Sequence, residues 1–174
     1  AASAIVPVGL PFWVEVKVGD PNTVKDLYGL SFKLKSSLTS CTYVAGSATA
    51  GNFLGTGPLT FFQSPDAQTI SATVTKTAAP GVNGSGIVAR FQFTTPSSLT
   101  SITSITFTLS DVQANNSTGA SIPMSLGSLT ISASPSASVW PGDCDNSGSV
   151  TAADVLPIGL YYGQKNATTP VTNN

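Results

Sequence analysis

The chain has 174 residues, of which 9% are charged, and it contains no histidine. Its net charge of −1 excludes the basic footprint that binders of nucleic acid and anionic membranes carry. Because it also has only one Glu and one Arg, it lacks the usual residues of hydrolytic and phosphoryl-transfer sites, and we predict that it is not an enzyme.

The sequence shows no apolar run long enough to span a membrane. Residues 5–14 are interrupted by Pro and Gly and fall well short of the ~20 residues that a spanning helix needs. The chain begins at Ala1 without a basic leader, as expected of an exported protein whose signal has been removed. We therefore expect a secreted protein, located in the extracellular space or at the cell surface.

Alternating apolar and polar residues predict β-strands as far as residue 131. In residues 12–18 the valines share one face, and Trp13, Glu15 and Lys17 occupy the other. The same pattern recurs at residues 30–35, 69–76, 87–93, 105–109 and 129–131. Clusters of Gly, Pro and Asn separate these runs. Together they predict an all-β fold, an antiparallel β-sandwich of about nine strands over residues 1–131.

Both ends of the chain differ in composition from the predicted sandwich. Residues 4–10 are apolar and extended, and they form either the first strand or an arm laid along the sheet edge of a neighbour. Residues 132–138 are a Ser/Ala/Pro linker without an apolar pattern. The remaining tail, residues 139–174, is too short to build its own core, so it needs a metal, a disulfide or another surface.

Residues 143–154 have the spacing of a calcium-binding loop. Residues that offer oxygen ligands fall at positions 1, 3, 5, 7, 9 and 12, with glycine at position 6; they are Asp143, Asp145, Ser147, Ser149, Thr151 and Asp154. This spacing suits Ca²⁺ because the chain surrounds the ion with alternate residues and turns sharply at the glycine. Three carboxylates predict weak binding, at about 0.1 to 1 mM, and the alternative is a turn that binds no ion.

A short helical turn and an apolar docking segment follow the loop. Thr151 can cap the turn that carries Asp154, and Pro157 prevents a longer helix. The large apolar side chains beyond it are too many to bury within the tail, so they must cover another surface of the same chain or of a neighbouring one. They are Leu156, Ile158, Leu160, Tyr161 and Tyr162.

The two cysteines, Cys41 and Cys144, lie in different predicted modules. Without histidine they are too few for a zinc site, and one disulfide is the simplest interpretation. Within a chain it would close a loop of about 100 residues and contribute up to about 4.7 kcal/mol in the chain-entropy model. A bond between subunits is equally open, and the alternative is two buried thiols.

Four asparagines begin glycosylation sequons in predicted loops. They are Asn83, Asn115, Asn116 and Asn166. Short Asn-x-Ser/Thr patterns arise by chance in a chain with 24 Ser and 22 Thr, so the sequons are candidate modification sites and are compatible with secretion.

Aromatic residues raise the question of glycan binding. Trp13, Trp140, Tyr161 and Tyr162 can line a sugar-binding face, as rings do in carbohydrate-binding sandwiches. In the alternative interpretation Trp140 anchors the calcium loop and the tyrosines dock the tail.

Two regions of the chain resemble two kinds of protein module that bind each other. Residues 12–36, 86–93 and 105–131 together resemble a cohesin domain, and residues 141–156 resemble the calcium-binding repeat of a dockerin. The resemblance implies a jelly-roll sandwich without catalytic activity that binds dockerins through one sheet face. A dockerin normally has two calcium loops and two helices, whereas this chain has one loop and a proline after it, so its contact need not copy the usual one.

The chain carries both a cohesin-like domain and a dockerin-like tail, and this combination leads to two hypotheses. We predict a structural protein whose copies associate head to tail, through calcium-stabilised contacts, into an extracellular filament or tube. Alternatively the tail docks on its own sandwich, and the protein is a cell-surface scaffold or a carbohydrate-binding module. An apolar groove matched to residues 156–162 would favour assembly, and a planar aromatic strip on one sheet would favour glycan binding.

Overall fold

The computed structural model describes residues 4–135, which form a β-sandwich without helices. The strands are β1 (Ala4–Pro7), β2 (Phe12–Val18), β3 (Val24–Ser36), β4 (Thr42–Tyr43), β5 (Thr49–Ala50), β6 (Leu59–Asp66), β7 (Thr69–Thr75), β8 (Val82–Gly84), β9 (Gly86–Thr94), β10 (Thr103–Asn116) and β11 (Ser128–Ser134). The predicted all-β sandwich is confirmed. It has eleven strands rather than about nine. The alternating pattern does not show β4, β5 and β8, which are too short, or β6, in which Phe61 and Phe62 are adjacent.

Two sheets face each other across the core. The larger sheet has the order β1-β11-β10-β3-β7-β6, with β8 also paired to β3, and the smaller has the order β2-β9-β4, with β5 also paired to β9. All neighbours are antiparallel except β1 and β11, which are parallel and in register from Ala4 opposite Ile131 to Pro7 opposite Ser134. Residues 4–7 are therefore the first strand of the sandwich in this structure.

The core consists of the apolar faces predicted by the alternating pattern. Phe91 and Phe93 on β9 and Phe107 on β10 are almost completely buried. The rings of Phe93 and Phe107 meet edge to face, with 4.8 Å between their centroids, and Phe32 meets Phe91 in the same way at 6.1 Å. These contacts join the two sheets, because β9 belongs to the smaller sheet and β3 and β10 to the larger.

The last strand extends beyond the predicted end of the sandwich. Residues 132–134 continue β11, so they are not part of the linker, and the first compact unit of the chain ends at Pro135. The physical reason is that Ala133 continues the inward face begun by Ile131 and is fully buried. A small side chain between serines conceals this period-two pattern in the sequence. Within residues 4–135 the structure has no helix that would cross a membrane.

Candidate binding surfaces

An apolar groove of about 490 Å³ opens between the two sheets beside β2. On the side of the smaller sheet it is lined by residues 14–18 of β2. On the side of the larger sheet it is lined by residues 124–129 and by core-facing side chains of β3 and β10, which are Leu30, Phe32, Leu34, Phe107 and Leu109. Leu126 is 51% exposed and Leu129 41%, so apolar surface is left open to water at this groove.

The backbone edge of β2 borders this groove. β2 pairs with β9 on one side, and among residues 4–135 no strand pairs with its other side. The five consecutive residues 14–18 all line the groove, and these include Glu15 and Lys17, whose side chains are on the outer face. The groove is therefore in contact with the strand's backbone as well as with its inward valines.

The pairing with β9 shows which backbone groups of β2 are directed to that edge. The carbonyl of Gln92 accepts a hydrogen bond from the Val44 amide at 2.9 Å, on the side of β9 that faces away from β2. In an antiparallel ladder hydrogen-bonded and non-hydrogen-bonded pairs alternate, so the Trp13–Gln92 pair is non-hydrogen-bonded. The N–H and C=O groups of Trp13 and Glu15 therefore point to the free edge of β2.

The outer face of the larger sheet is a second candidate surface. Across β6, β7, β3 and β10 it carries rows of polar residues, such as Thr73, Ser31 and Gln113. Its border at the edge strand β6 is apolar, with Leu59 62% and Phe61 61% exposed. This face is broad and rich in hydroxyls, whereas the groove is concave and apolar.

Aromatic side chains of residues 4–135 do not form the strip that would favour glycan binding. Trp13 is half exposed on β2 of the smaller sheet, and Phe61 is exposed on β6 of the larger sheet. Beside Trp13 on the outer face, Glu15 accepts from Arg90 Nε at 3.0 Å and lies 3.5 Å from Lys17 Nζ. This part of the chain has an apolar groove, and its match to residues 156–162 remains a prediction because those residues lie outside the described range.

Most of the predicted site residues lie outside the described range. These are the six calcium-loop residues 143, 145, 147, 149, 151 and 154, the docking residues 156, 158 and 160–162, and also Trp140, Cys144 and Asn166. Their roles remain predictions. Among residues 4–135 no group of three or more Asp, Glu, Cys or His is placed to hold a metal ion.

Cys41 is a completely buried thiol in the core of the sandwich. Burial raises the pKa of its thiol, and a hydrogen bond with Ser36 opposes that shift. This environment agrees with the interpretation of Cys41 as a small apolar core residue, and the predicted bridge to Cys144 remains a prediction.

Three of the four sequons lie in strands rather than in the predicted loops. Asn83 is in β8, and Asn115 and Asn116 end β10. The loop prediction was wrong here because Gly and Asn, which usually mark turns, occur in these paired segments. Asn83 Oδ1 accepts from the Asp26 amide at 2.7 Å, and Asn116 Oδ1 accepts from the amides of Thr118 and Ala120. The side-chain carbonyls of Asn83 and Asn116 thus stabilise the nearby backbone by accepting hydrogen bonds from its amides.

Solved structures of cohesins share this fold, whereas no protein-family model and no curated protein matches the chain. A non-cellulosomal cohesin from the archaeon Archaeoglobus fulgidus is 18% identical, with a TM-score of 0.59 over 74% of this chain and 86% of that one. The sixth cohesin of scaffoldin B from Acetivibrio cellulolyticus, solved with a dockerin, is 14% identical, with a TM-score of 0.61 over 74% and 92%. A cohesin module from a Clostridium perfringens family 33 glycoside hydrolase is 10% identical, with a TM-score of 0.61 over 78% and 93%. The sandwich of this chain therefore has the cohesin fold.

Proposed function

We propose that this protein is a secreted, non-enzymatic structural subunit that assembles head to tail into extracellular filaments or tubes. In this assembly the sandwich of one copy receives the tail of the next, and Ca²⁺ bound by residues 143–154 orders that tail. Cohesins with the same fold have been solved in complex with dockerins, which supports a protein as the partner of the sandwich.

The groove beside β2 is the observation that carries the proposal. It presents apolar side chains to water, including Leu126 and Leu129, in a protein with few charges on its surface. The chain itself contains the complementary element, because residues 156–162 include five large apolar side chains. Full burial of one such side chain contributes about 1.5 to 3 kcal/mol, and several together are needed to offset the cost of association, about 4 to 15 kcal/mol.

The contact between copies is heterologous. The groove belongs to the sandwich and the docking segment to the tail, so each copy has one acceptor and one donor. A heterologous contact closes into a ring or propagates as an open helical filament. A tube is a filament of this kind with a wide helical radius.

Calcium acts on the donor in this proposal. Three of the eight carboxylates of the chain fall within residues 143–154, and they repel one another without a cation. A tail of this size cannot form a core that would hold them together, so ion binding and ordering of the tail are coupled. Assembly should therefore depend on calcium at extracellular concentrations.

Sedimentation of the purified full-length protein tests this function. We expect large assemblies with about 1 mM calcium, visible by electron microscopy, and their loss in excess chelator, in Asp143→Ala and in a chain that ends at Ser138. Asp66→Asn is the matched control, because it removes an exposed negative charge in the sandwich. A monomer both with calcium and with chelator would overturn the proposal in favour of a tail docked on its own sandwich.

A further inference from the structure

We infer that residues 156–162 of a neighbouring copy bind as an additional β-strand, parallel to β2 and along its free edge, with alternate side chains in the groove. This inference rests on the proposed function and specifies the mode of the contact. Addition of a strand uses backbone hydrogen bonds for affinity and side-chain pockets for specificity, and both are available at this site.

The acceptor combines an open strand edge with an apolar groove. The backbone groups of Trp13 and Glu15 point to the edge of β2 that has no strand partner among residues 4–135. Leu126 and Leu129 border the same groove and are about half exposed. An added strand would pair the backbone edge and cover these leucines at the same time.

The donor has the period of a strand. In the sequence Leu-Pro-Ile-Gly-Leu-Tyr-Tyr, the large apolar residues Leu156, Ile158, Leu160 and Tyr162 fall at alternate positions. Successive side chains of a strand point to opposite faces, so these four share one face. The segment has seven residues, the same length as β2.

Pro157 is compatible with this arrangement and disfavours a helix. In a parallel strand the residues that bond to Trp13 and Glu15 have their side chains on the other face of the sheet. Leu156, Ile158 and Leu160 can then bond to β2 and enter the groove, and Pro157 directs its backbone to the opposite edge. On that side its missing N–H costs no ladder hydrogen bond, as for prolines on edge strands. The same ring would disrupt a helix that continued beyond the first turn.

In the proposed assembly a neighbouring copy supplies the strand. β11 borders the groove at Ser128 and Leu129, whereas the chain leaves the sandwich at the other end of β11, after Ser134. Seven residues of strand separate these ends by about 20 Å. The 21 residues 135–155 span up to about 70 Å when extended, so the linking segment is long enough for a donor to reach the groove of its own or of a neighbouring sandwich. The head-to-tail assembly proposed above assigns the donor to the neighbouring copy.

Matched leucine variants of the full-length chain test the acceptor. We expect Leu126→Asp to abolish the calcium-dependent assemblies. Leu59 is a similarly exposed leucine on the outer face of the larger sheet, and we expect Leu59→Asp to leave the assemblies intact. Neither side chain belongs to the buried core, so both variants should remain folded, as circular dichroism can verify. Loss of assembly in Leu59→Asp with retention in Leu126→Asp would place docking on the larger sheet and overturn the inference.

Adjacent variants test the donor. Leu160→Asp puts a charge on the face that enters the groove, and Tyr161→Asp puts the same charge on the opposite face. We expect the first variant to lose assembly and the second to retain it. Equal loss in both, with normal assembly of the unmodified chain, would contradict a strand and leave the proposed function standing.

Hydrogen exchange of the assembled protein reads out the backbone contact. We expect exchange of the Trp13 and Glu15 amides to slow by about tenfold or more on assembly, while Val14, already bonded to β9, changes little. Unchanged exchange at Trp13 and Glu15 in intact assemblies would exclude strand addition to β2. If the full-length protein forms no assemblies at all, the proposed function fails, and this inference fails with it.

Discussion

Ser117 Oγ donates a hydrogen bond of 2.7 Å to the carboxylate of Asp26, which lies 91 residues earlier in the chain. The same carboxylate accepts from the backbone amides of Ser117 at 3.2 Å and of Gly81 at 2.7 Å. The Asp26 side chain in β3 thus forms hydrogen bonds with the segment that follows β10 and with the segment that precedes β8. These bonds, with that from the Ser117 hydroxyl the largest cause, hold the pKa of Asp26 below its usual value.

The lowered pKa of Asp26 predicts a specific loss of stability in acid. The folded protein binds this proton less tightly than the unfolded chain, so the carboxylate's contribution is complete above the unfolded pKa of about 3.9 and is lost as the pH falls through the lower folded value. We expect Asp26→Asn to flatten the pH dependence of the free energy of unfolding in this acidic range. Asn tolerates the left-handed backbone at this position, where φ is 52°.

Urea unfolding at a series of pH values measures this dependence. Some slope should remain in Asp26→Asn, because the pKa of Asp66 is also lowered, chiefly by a hydrogen bond from the Gln68 amide. An Asp66→Asn/Asp26→Asn pair should remove more of the slope than either change alone. Identical slopes for the unmodified protein and for Asp26→Asn would contradict the prediction.

Two phenylalanines that differ in burial predict unequal effects on stability. Phe93 is fully buried against Phe107 and Tyr43, whereas Phe61 is 61% exposed on an edge strand. We expect Phe93→Ala to lower the free energy of unfolding by about 3 to 5 kcal/mol, because it leaves a cavity between the sheets. Phe61→Ala should change it by less than about 0.5 kcal/mol. Denaturant unfolding compares them, and a cost at Phe61 as large as that at Phe93 would be inconsistent with this core.

Two glycines with similar backbone conformations predict unequal costs of an added methyl group. Gly19 and Gly57 have φ of 78° and 69°. A Cβ at Gly19 would collide with the carbonyl of Gly84 and with Ser85, whereas a Cβ at Gly57 would meet open space. We expect Gly57→Ala to cost about 1 to 2 kcal/mol, the strain of the left-handed conformation alone. Gly19→Ala should cost clearly more in a thermal melt, and equal melting temperatures would disprove the steric argument.

The burial of Cys41 predicts protection from alkylation. Its side chain is fully buried and burial raises its pKa, so the reactive thiolate is scarce in the folded protein. We expect iodoacetamide to leave Cys41 unmodified under native conditions, even after reduction, and to modify it in denaturant with reductant, as peptide mass spectrometry shows. Rapid native labelling would contradict this burial. Denaturation without reductant separately tests the predicted Cys41–Cys144 bridge. A disulfide would leave Cys41 without a free thiol, so iodoacetamide would not label it.

Local patterns in the sequence were sufficient for most of the long strands and for most of the core. The runs around Val14, Phe32, Phe91 and Phe107 each alternate strictly, and alternation alone determines which side chains share a face. The short strands β4, β5 and β8 were missed because two or three residues contain no measurable period. The longer β6 was missed because Phe61 and Phe62 are adjacent and Pro65 interrupts the run, so its sequence does not alternate. The strand positions of Asn83 and Asn116 were missed for a related reason. The preference of a residue for turns is a local property, and it carries no information about pairing with a distant strand.

The sequence by itself determined the all-β class, the inward faces of the long strands and the spacing of a calcium loop, because each depends on residues close together in the chain. Only the tertiary structure decided that β2 has a free edge beside a groove, that Leu126 borders that groove while Leu59 does not, and that Asp26 meets Ser117 and Gly81. These features depend on the order in which strands pair, which is set by long-range packing of the two sheets. An identical alternating strand is compatible with a central or an edge position, and the choice between them creates the candidate binding site.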